Sequence, residues 1–147
     1  MECATPLNPA IVVRLEESFA AQGLMQHLGA EIASIRCGEV VLRMPFRAQL
    51  SQQHGFFHAG ATTALADSAG GYAAFTLFAP GEDVLTTEFK LNLLNPARGE
   101  ALEARGRVIK SGRTLSICQL DVWAEADGAR THVATGLQTL IRLGPAS

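Results

Sequence analysis

A long run of small and apolar residues, from Gly60 to Phe78, constrains the fold of this chain more than any other feature. Alanine and glycine dominate the run, and Asp67 near its middle is the only acidic or basic residue between His58 and Glu82. A helix that is apolar in nearly every direction has to be enclosed by other structure. Because a carboxylate is costly inside a lipid bilayer, we predict a helix buried in a protein core and not a membrane span.

The segments on either side of this run predict a short helix, a hairpin and four further strands. Residues 9–22 have helical periodicity with Asn8 available as N-cap, and we expect Gly23 to end this helix. Two short runs between residues 29 and 46, divided by Cys37-Gly38-Glu39, predict the hairpin. Beyond Pro80-Gly81 the alternation of apolar and polar residues predicts strands at 85–93, 101–110, 115–125 and 131–143.

A curved antiparallel sheet wrapped around the long helix is the economical way to bury it, because small side chains let the sheet approach closely. We therefore predict an α+β protein with the hotdog fold. A single domain is expected over residues 1–147, with residues 1–28 as an N-terminal helical segment. In the last strand, alternation places Val133, Leu137 and Ile141 on one face.

The composition argues against several classes of protein. Hydrophobic residues make up 48% of the chain and charged residues 18%, and the formal net charge is -2, so neither disorder nor electrostatic binding to nucleic acid is indicated. The N-terminal residues lack the basic start and apolar stretch of a secretion signal. Cys3, Cys37 and Cys118 cannot all pair within the chain and lack metal-ligand spacing. We expect reduced thiols in a cytoplasmic protein without membrane or nucleic-acid partners.

Asp67 is the first candidate for chemistry. A carboxylate within an apolar helix is strengthened as a base or nucleophile, and without compensating interactions it would destabilise the fold. Aspartate is also a poor choice for a helix interior on propensity alone, which favours a functional role. The structural alternatives are a carboxylate satisfied by donors such as Thr63 and one that only specifies helix pairing.

The predicted start of the long helix, at His58 to Gly60, is the second candidate, because free N–H groups there can hold a carbonyl oxygen. Ala59 and Asp67 lie about 12 Å apart along a helix, so one scissile carbon cannot contact both. If both serve one reaction, the carboxylate comes from a second chain, and we predict a homodimer or homotetramer with sites at the subunit interface. His58 either orients substrate or caps the helix, and Gln52 is either a solvated loop residue or a hydrogen-bond partner of a reacting group.

Other catalytic signatures are absent from the sequence. It has no GxSxG, no cysteine with a suitable local histidine, and neither GxGxxG nor GxxxxGKT. His54 and His58 have the spacing of a metal pair, but no third ligand is evident, so we expect neither a metal nor a cofactor. Phosphate contacts would come from scattered basic residues such as Arg98, Lys110 and Arg113, whose alternative role is ordinary surface charge.

The stretch that contains these candidates resembles the PaaI-like branch of the hotdog acyl-CoA thioesterases. That family has a Gln or Asn, then HGG six residues later, then an acid nine residues after the His. Gln52, His58-Ala59-Gly60 and Asp67 have the same spacing. Downstream, Thr86 falls where the family has Ser or Thr, residues 95–97 (NPA) resemble its strand-ending SPA or RPA, and residues 110–115 (KSGRTL) resemble its K-x-G-R-T/S-L turn.

The resemblance implies hydrolysis of an acyl-CoA thioester without a metal. Asp67 would attack the carbonyl or activate water, the Ala59 N–H would polarise the carbonyl, and Thr86 would assist Asp67. In the family the acid comes from the subunit opposite the N–H donor. Gln52 and His58 would position substrate or water. The further substrate contacts implied are Gly60, Phe57, Arg98, Lys110, Gly112 and Arg113, the basic ones near the CoA phosphates. Ala59 replaces the first glycine of HGG, and it can keep the role if its φ is helical.

Two alternative functions fit the same residues. A hotdog hydratase or dehydratase also pairs His and a carboxylate for proton transfer, and a non-catalytic module would bind acyl-CoA without turnover. Release of free thiol from an acyl-CoA distinguishes the thioesterase from both. Phe56, Phe57, Phe75 and Leu85 from two chains are expected to shape the acyl pocket, for a small or medium acyl group that is aromatic or aliphatic.

Overall fold

The structure, a computed structural model, describes residues 7–144 and starts with two short helices, α1 (Pro9–Ala20) and α2 (Gly23–Leu28). Asn8 caps α1 as predicted, since its side chain accepts a hydrogen bond from the Ala10 N–H at 2.9 Å. Helix α1 ends at Ala20 and Gly23 begins α2, which corrects the prediction of one helix over residues 9–22 that ends at Gly23. Gln22 is extended between the two helices, and Met25 is buried in the core, so the second helix is held by packing.

Six antiparallel strands form one sheet in the order β1-β2-β4-β5-β6-β3. The predicted hairpin and the four later strands are confirmed. The strands are β1 (Glu31–Arg36), β2 (Glu39–Pro45), β3 (Asp83–Leu93), β4 (Ala101–Ser111), β5 (Leu115–Ala126) and β6 (Ala129–Leu143). One turn of 3₁₀ helix, Ala48–Leu50, follows β2.

The long helix α3 (Ala59–Phe75) packs against this sheet, and its small residues allow backbone contact. A Cβ added at Gly106 of β4 would lie 2.3 Å from the Ala69 carbonyl oxygen, and one added at Gly70 would lie 2.6 Å from the Leu120 side chain. Side chains at these glycines would push the helix off the sheet. The predicted enclosed helix and curved sheet are both present, which confirms the hotdog fold.

The face assignment in β6 was wrong, and a β-bulge is the reason. Val122 pairs with Ala134 and Trp123 pairs with His132, so Val133 is an extra residue in the ladder. One extra residue reverses the inward and outward positions beyond it. Leu137 is therefore 51% exposed, whereas Gln138 is 1% exposed and faces the helix.

Strand β3 lies at the edge of the sheet and pairs only with β6. It is an 11-residue strand, and most of its side chains are exposed. The exposed residues include three large apolar ones: Leu85, Phe89 and Leu93 are 57%, 45% and 58% exposed. The protomer therefore leaves a long apolar edge uncovered.

The cysteines depart in part from the prediction of three reduced thiols. Cys118 has a free thiol buried in the core. Cys37 is disulfide-bonded, so the prediction is wrong for that residue. Cys3 lies outside the described residues. Between residues 7 and 144, no helix combines the length and the apolar character needed to cross a membrane.

Candidate active site

Asp67 sits in the third turn of α3, half-buried, with its carboxylate held by two side chains from the sheet. The Thr86 hydroxyl donates to Asp67 Oδ1 at 2.8 Å, and the Gln138 amide donates to the same oxygen at 2.7 Å. No described residue donates a hydrogen bond to Oδ2. One carboxylate oxygen is thus fixed by the protein while the other is available to a reactant.

A second β-bulge lets Thr86 reach Asp67. Thr86 pairs with Leu140 and Glu88 pairs with Thr139, so Thr87 is the extra residue in β3. Without it, Thr86 and Phe89 would lie on opposite faces of the strand; with it, both face the helix side. The bulge therefore directs the Thr86 hydroxyl toward the carboxylate.

Asp67 and Thr86 line a cavity of about 520 Å³ between α3, β3 and the N-terminal helices. Its apolar wall includes Phe75 and Leu85, two of the predicted pocket residues, together with Leu140. This volume is within the usual range for small-molecule sites.

The same cavity has a polar cluster that the sequence did not predict. The Tyr72 hydroxyl accepts from Gln22 Nε2 at 3.0 Å and lies 3.2 Å from Ser18 Oγ, while Ser68 Oγ donates to Gln22 Oε1 at 3.4 Å. Burial raises the pKa of Tyr72, so its hydroxyl keeps its proton. Neutral hydrogen-bonding groups therefore line the cavity together with its apolar residues.

The start of α3 has the predicted form. His58 is the N-cap, and its Nδ1 accepts the Gly60 N–H at 2.8 Å, which confirms the capping role. Ala59 is the first helical residue, and it is not among the residues with positive φ. Its N–H donates to no group in the described part of the chain. Ala59 therefore has the helical φ that allows an alanine to replace glycine at this position.

A second cavity, of about 510 Å³, surrounds this helix start. Gln52, His58 and Ala59 all line it, so the structure brings these predicted residues together. The Gln52 side chain accepts the His54 N–H. Phe57 also lines the cavity, although it is only 3% exposed and packs edge-on against Phe46 at 5.1 Å between ring centres. Its main contact is with the protein core.

The two groups of predicted catalytic residues do not meet within one chain. Asp67 and Thr86 line the first cavity, whereas Gln52, His58 and Ala59 line the second. Eight residues of helix separate Ala59 from Asp67, about 12 Å along the axis. Within one chain, the two groups of predicted residues therefore lie in separate cavities.

The predicted phosphate-binding residues also divide between the two ends of the sheet. Arg98 is exposed beside the second cavity, with its guanidinium 5.2 Å from the ring centre of Phe56, which lines that cavity. Lys110 lies near the end of β4, Gly112 and Arg113 lie in the turn that follows it, and none of the three lines either cavity. Strand β4, with 11 residues and a length of at most about 33 Å from its first Cα to its last, lies between Arg98 and this turn.

Gln138 is the main residue of the site that the sequence did not reveal. Alternation in β6 put Leu137 on the same face as Val133, and so hid the polar residue of β6 that faces Asp67. Between residues 7 and 144, no three His, Cys, Asp or Glu side chains are grouped as metal ligands.

Comparisons with known proteins identify the family and support the fold. The sequence profile described as the thioesterase superfamily matches residues 54–130. The solved structure of a thioesterase family protein from Silicibacter pomeroyi is 45% identical with a TM-score of 0.89, and the match covers 90% of this chain and 98% of that one. The E. coli PaaI protein from the phenylacetic acid degradation operon shares the fold, with a TM-score of 0.82 at 21% identity over 95% and 98% of the two chains. A 1,4-dihydroxy-2-naphthoyl-CoA hydrolase from Listeria monocytogenes is 25% identical over 105 residues, 71% of this chain and 85% of that protein.

Proposed function

This chain belongs to the thioesterase superfamily as a PaaI-like hotdog thioester hydrolase, and on that premise we propose that it hydrolyses a small or medium acyl-CoA with Asp67 as nucleophile or general base. One observation carries the proposal: Asp67 Oδ1 is held by Thr86 and Gln138 while its Oδ2 is left for a reactant beside a cavity of about 520 Å³. In either mechanism water supplies the hydroxyl of the acid, the carbon–sulfur bond breaks, and CoA leaves as its thiol.

The Ala59 N–H serves as the oxyanion donor in this proposal. It opens α3 without a partner in the described chain, and it lies at the positive end of the helix dipole. Such a donor stabilises the charge that develops on the carbonyl oxygen in the transition state. Gln52 and His58, on the same cavity, position the substrate or the water.

The complete site is formed by two copies of the chain. The distance between Ala59 and Asp67 prevents both from contacting one carbonyl group within a protomer. The uncovered edge of β3 supplies an apolar surface for a second copy. This edge runs from one cavity to the other, because Leu85 lines the first and Leu93 lines the second. A two-fold axis across this edge places the Asp67 end of one protomer against the Ala59 end of its partner.

The same symmetry brings the divided phosphate-binding residues together. Lys110 at the end of β4 and the β4–β5 turn, with Gly112 and Arg113, lie at the Asp67 end of the sheet, and Arg98 lies at the Ala59 end. In an antiparallel pair of protomers, Arg98 of one copy and the turn of the other flank the same site. These residues contact the CoA phosphates in the proposed complex.

The proposed acyl group is a ring or a chain of similar size with a polar substituent. The lining of the cavity includes apolar side chains and a polar cluster formed by the Tyr72 hydroxyl, Ser18 and Gln22. These polar side chains favour a substrate with a polar substituent that hydrogen-bonds to them, because an apolar substrate would leave them without partners. The hydroxylated naphthoyl group of the Listeria relative's substrate has this character.

The test is thiol release from a panel of acyl-CoA substrates with the wild-type protein and Asp67→Asn. We expect a loss of at least about a hundredfold in kcat for Asp67→Asn, since the catalytic base or nucleophile is removed. Asp121→Asn is the matched control, because Asp121 lies on the opposite face of the sheet and bonds to Thr135 and His132. Within the panel, hydroxybenzoyl-CoA should exceed benzoyl-CoA in kcat/KM, and Tyr72→Phe should reduce that preference.

Three results would contradict the proposal. Full activity of Asp67→Asn would remove its catalytic residue. A change in enoyl absorbance without thiol release would indicate a hydratase, and tight acyl-CoA binding with no turnover would indicate a binding module.

A further inference from the structure

Gln138 is a polar side chain in the most enclosed part of the molecule. It lies on β6 between Phe89 of β3 and Cys118 of β5, and only 1% of its surface is exposed. A Cβ added at Gly70 of α3 would lie 1.9 Å from Gln138 Oε1. The amide therefore occupies the space that a side chain at Gly70 would fill.

The amide nitrogen of Gln138 faces three acceptors at once. It donates to Asp67 Oδ1 at 2.7 Å, to the Asp67 carbonyl oxygen at 3.0 Å and to Thr86 Oγ1 at 3.0 Å. Since Thr86 Oγ1 accepts from Gln138, its own hydrogen points to Asp67 Oδ1. Gln138 and Thr86 therefore both donate a hydrogen bond to Asp67 Oδ1, and the bond from Gln138 to Thr86 fixes the direction of the Thr86 hydroxyl.

Only one orientation of the amide is compatible with this environment. A flipped amide would place Oε1 against two Asp67 oxygens that have no hydrogen to donate. In the observed orientation, Oε1 is buried and accepts no hydrogen bond from the described residues. A buried oxygen that accepts no hydrogen bond destabilises the fold. Because buried polar groups in native proteins are nearly always hydrogen-bonded, this one calls for a functional explanation.

We propose that Gln138 is a positioning residue for Asp67: it fixes the rotation of the carboxylate so that Oδ2 faces the substrate, and it holds the Thr86 hydroxyl as a donor. The inference rests on the proposed function of Asp67. Thr86 alone lies on an exposed edge strand and constrains the carboxylate less, so the buried amide supplies the rigidity. Gln138 contacts no substrate and acts through Asp67.

The test compares Gln138→Met, which keeps the shape and removes the donor, with wild type and with Gln119→Met. Gln119 is the control because it is a glutamine on neighbouring β5 whose amide bonds to Thr135 away from Asp67. For Gln138→Met we expect kcat to fall roughly ten- to hundredfold with KM nearly unchanged, as for the loss of a hydrogen bond to a charged group. Gln119→Met should keep the wild-type kcat and KM, because its amide does not contact Asp67.

The outcomes separate the inference from the proposed function. If Asp67→Asn is inactive while folded Gln138→Met keeps the wild-type kcat, the positioning role is wrong and the function of Asp67 stands. If Asp67→Asn remains active, both fail. Should Gln138→Met not fold, the side-chain amide NMR signal of Gln138 in the wild-type protein provides the test. That signal should shift in Asp67→Asn, because the carboxylate that accepts its hydrogen bond is replaced, and an unchanged signal would overturn the inference.

Discussion

The substitution Ala59→Pro removes one proposed catalytic atom while leaving the local backbone compatible with the fold. Ala59 is the first residue of α3, a position where proline is favoured because no intrahelical bond uses its N–H. The preceding residue, His58, has φ -64° and ψ 140°, the extended conformation that proline requires before it. The chain already contains the same arrangement at Asn8, with φ -61° and ψ 127°, followed by Pro9 at the start of α1.

The expected effect follows from the role of that N–H. Removal of one oxyanion donor costs about 10²- to 10³-fold in kcat, or about 3 to 4 kcal/mol of transition-state stabilisation. Stability should change little, by about 0.5 kcal/mol or less, since no native hydrogen bond is lost. The loss should therefore appear in kcat and not in the melting temperature.

Thiol release from an acyl-CoA and thermal unfolding, measured on the same samples, check this prediction. Ala59→Gly is the control, because it keeps the N–H and alters only the side chain. An Ala59→Pro protein that melts normally and retains kcat within about threefold of wild type would refute the oxyanion role. Equal losses in Ala59→Pro and Ala59→Gly would attribute the effect to the side chain instead.

Two further predictions concern stability. Gly106→Ala places a methyl group 2.3 Å from the Ala69 carbonyl oxygen, and we expect it to destabilise the protein by about 1 to 3 kcal/mol in urea unfolding; an unchanged midpoint would contradict the backbone contact between α3 and β4. Burial raises the pKa of Cys118 from 9.0 to about 12, so the unfolded chain loses this proton first, and the free energy of unfolding should fall as pH rises from about 9 toward 12. Cys118→Ala should show a shallower alkaline decline, and equal slopes for the two proteins would contradict this account.

The elements that the sequence predicted are those with strong local patterns. The run from Gly60 to Phe78 contains too little polar surface for a solvent-exposed helix, and its small residues permit the backbone contacts seen at Gly106 and Gly70. Asp67 stood out because it is the only charged residue in that run. Local composition was sufficient for both predictions.

The donors to Asp67 depend on strand register, which local patterns do not reveal. Uninterrupted alternation would put Thr86 and Phe89 on opposite faces of β3 and Gln138 on the outer face of β6. The bulges at Thr87 and Val133 reverse both assignments. A bulge is defined by pairing between strands, so its position is not apparent from the sequence of either strand alone.

The polar cluster in the cavity was missed for a different reason. Ser18 and Gln22 are ordinary surface-type residues at the end of a short helix, and Tyr72 lies about fifty residues later in the chain. Their contact depends on how α1 and α2 dock against α3. Docking of this kind is determined by packing and not by residue spacing along the chain.

Mixed dimers of two inactive variants test the shared active site most directly. Asp67→Asn and Ala59→Pro protomers, carrying different affinity tags, are combined, and the mixed dimer is purified and assayed for thiol release. If each site takes its carboxylate from one chain and its amide from the other, one of the two sites is intact, and the mixed dimer should recover about half of wild-type activity. A folded mixed dimer with no more activity than either parent variant would contradict the account, because both groups would then have to act within one chain.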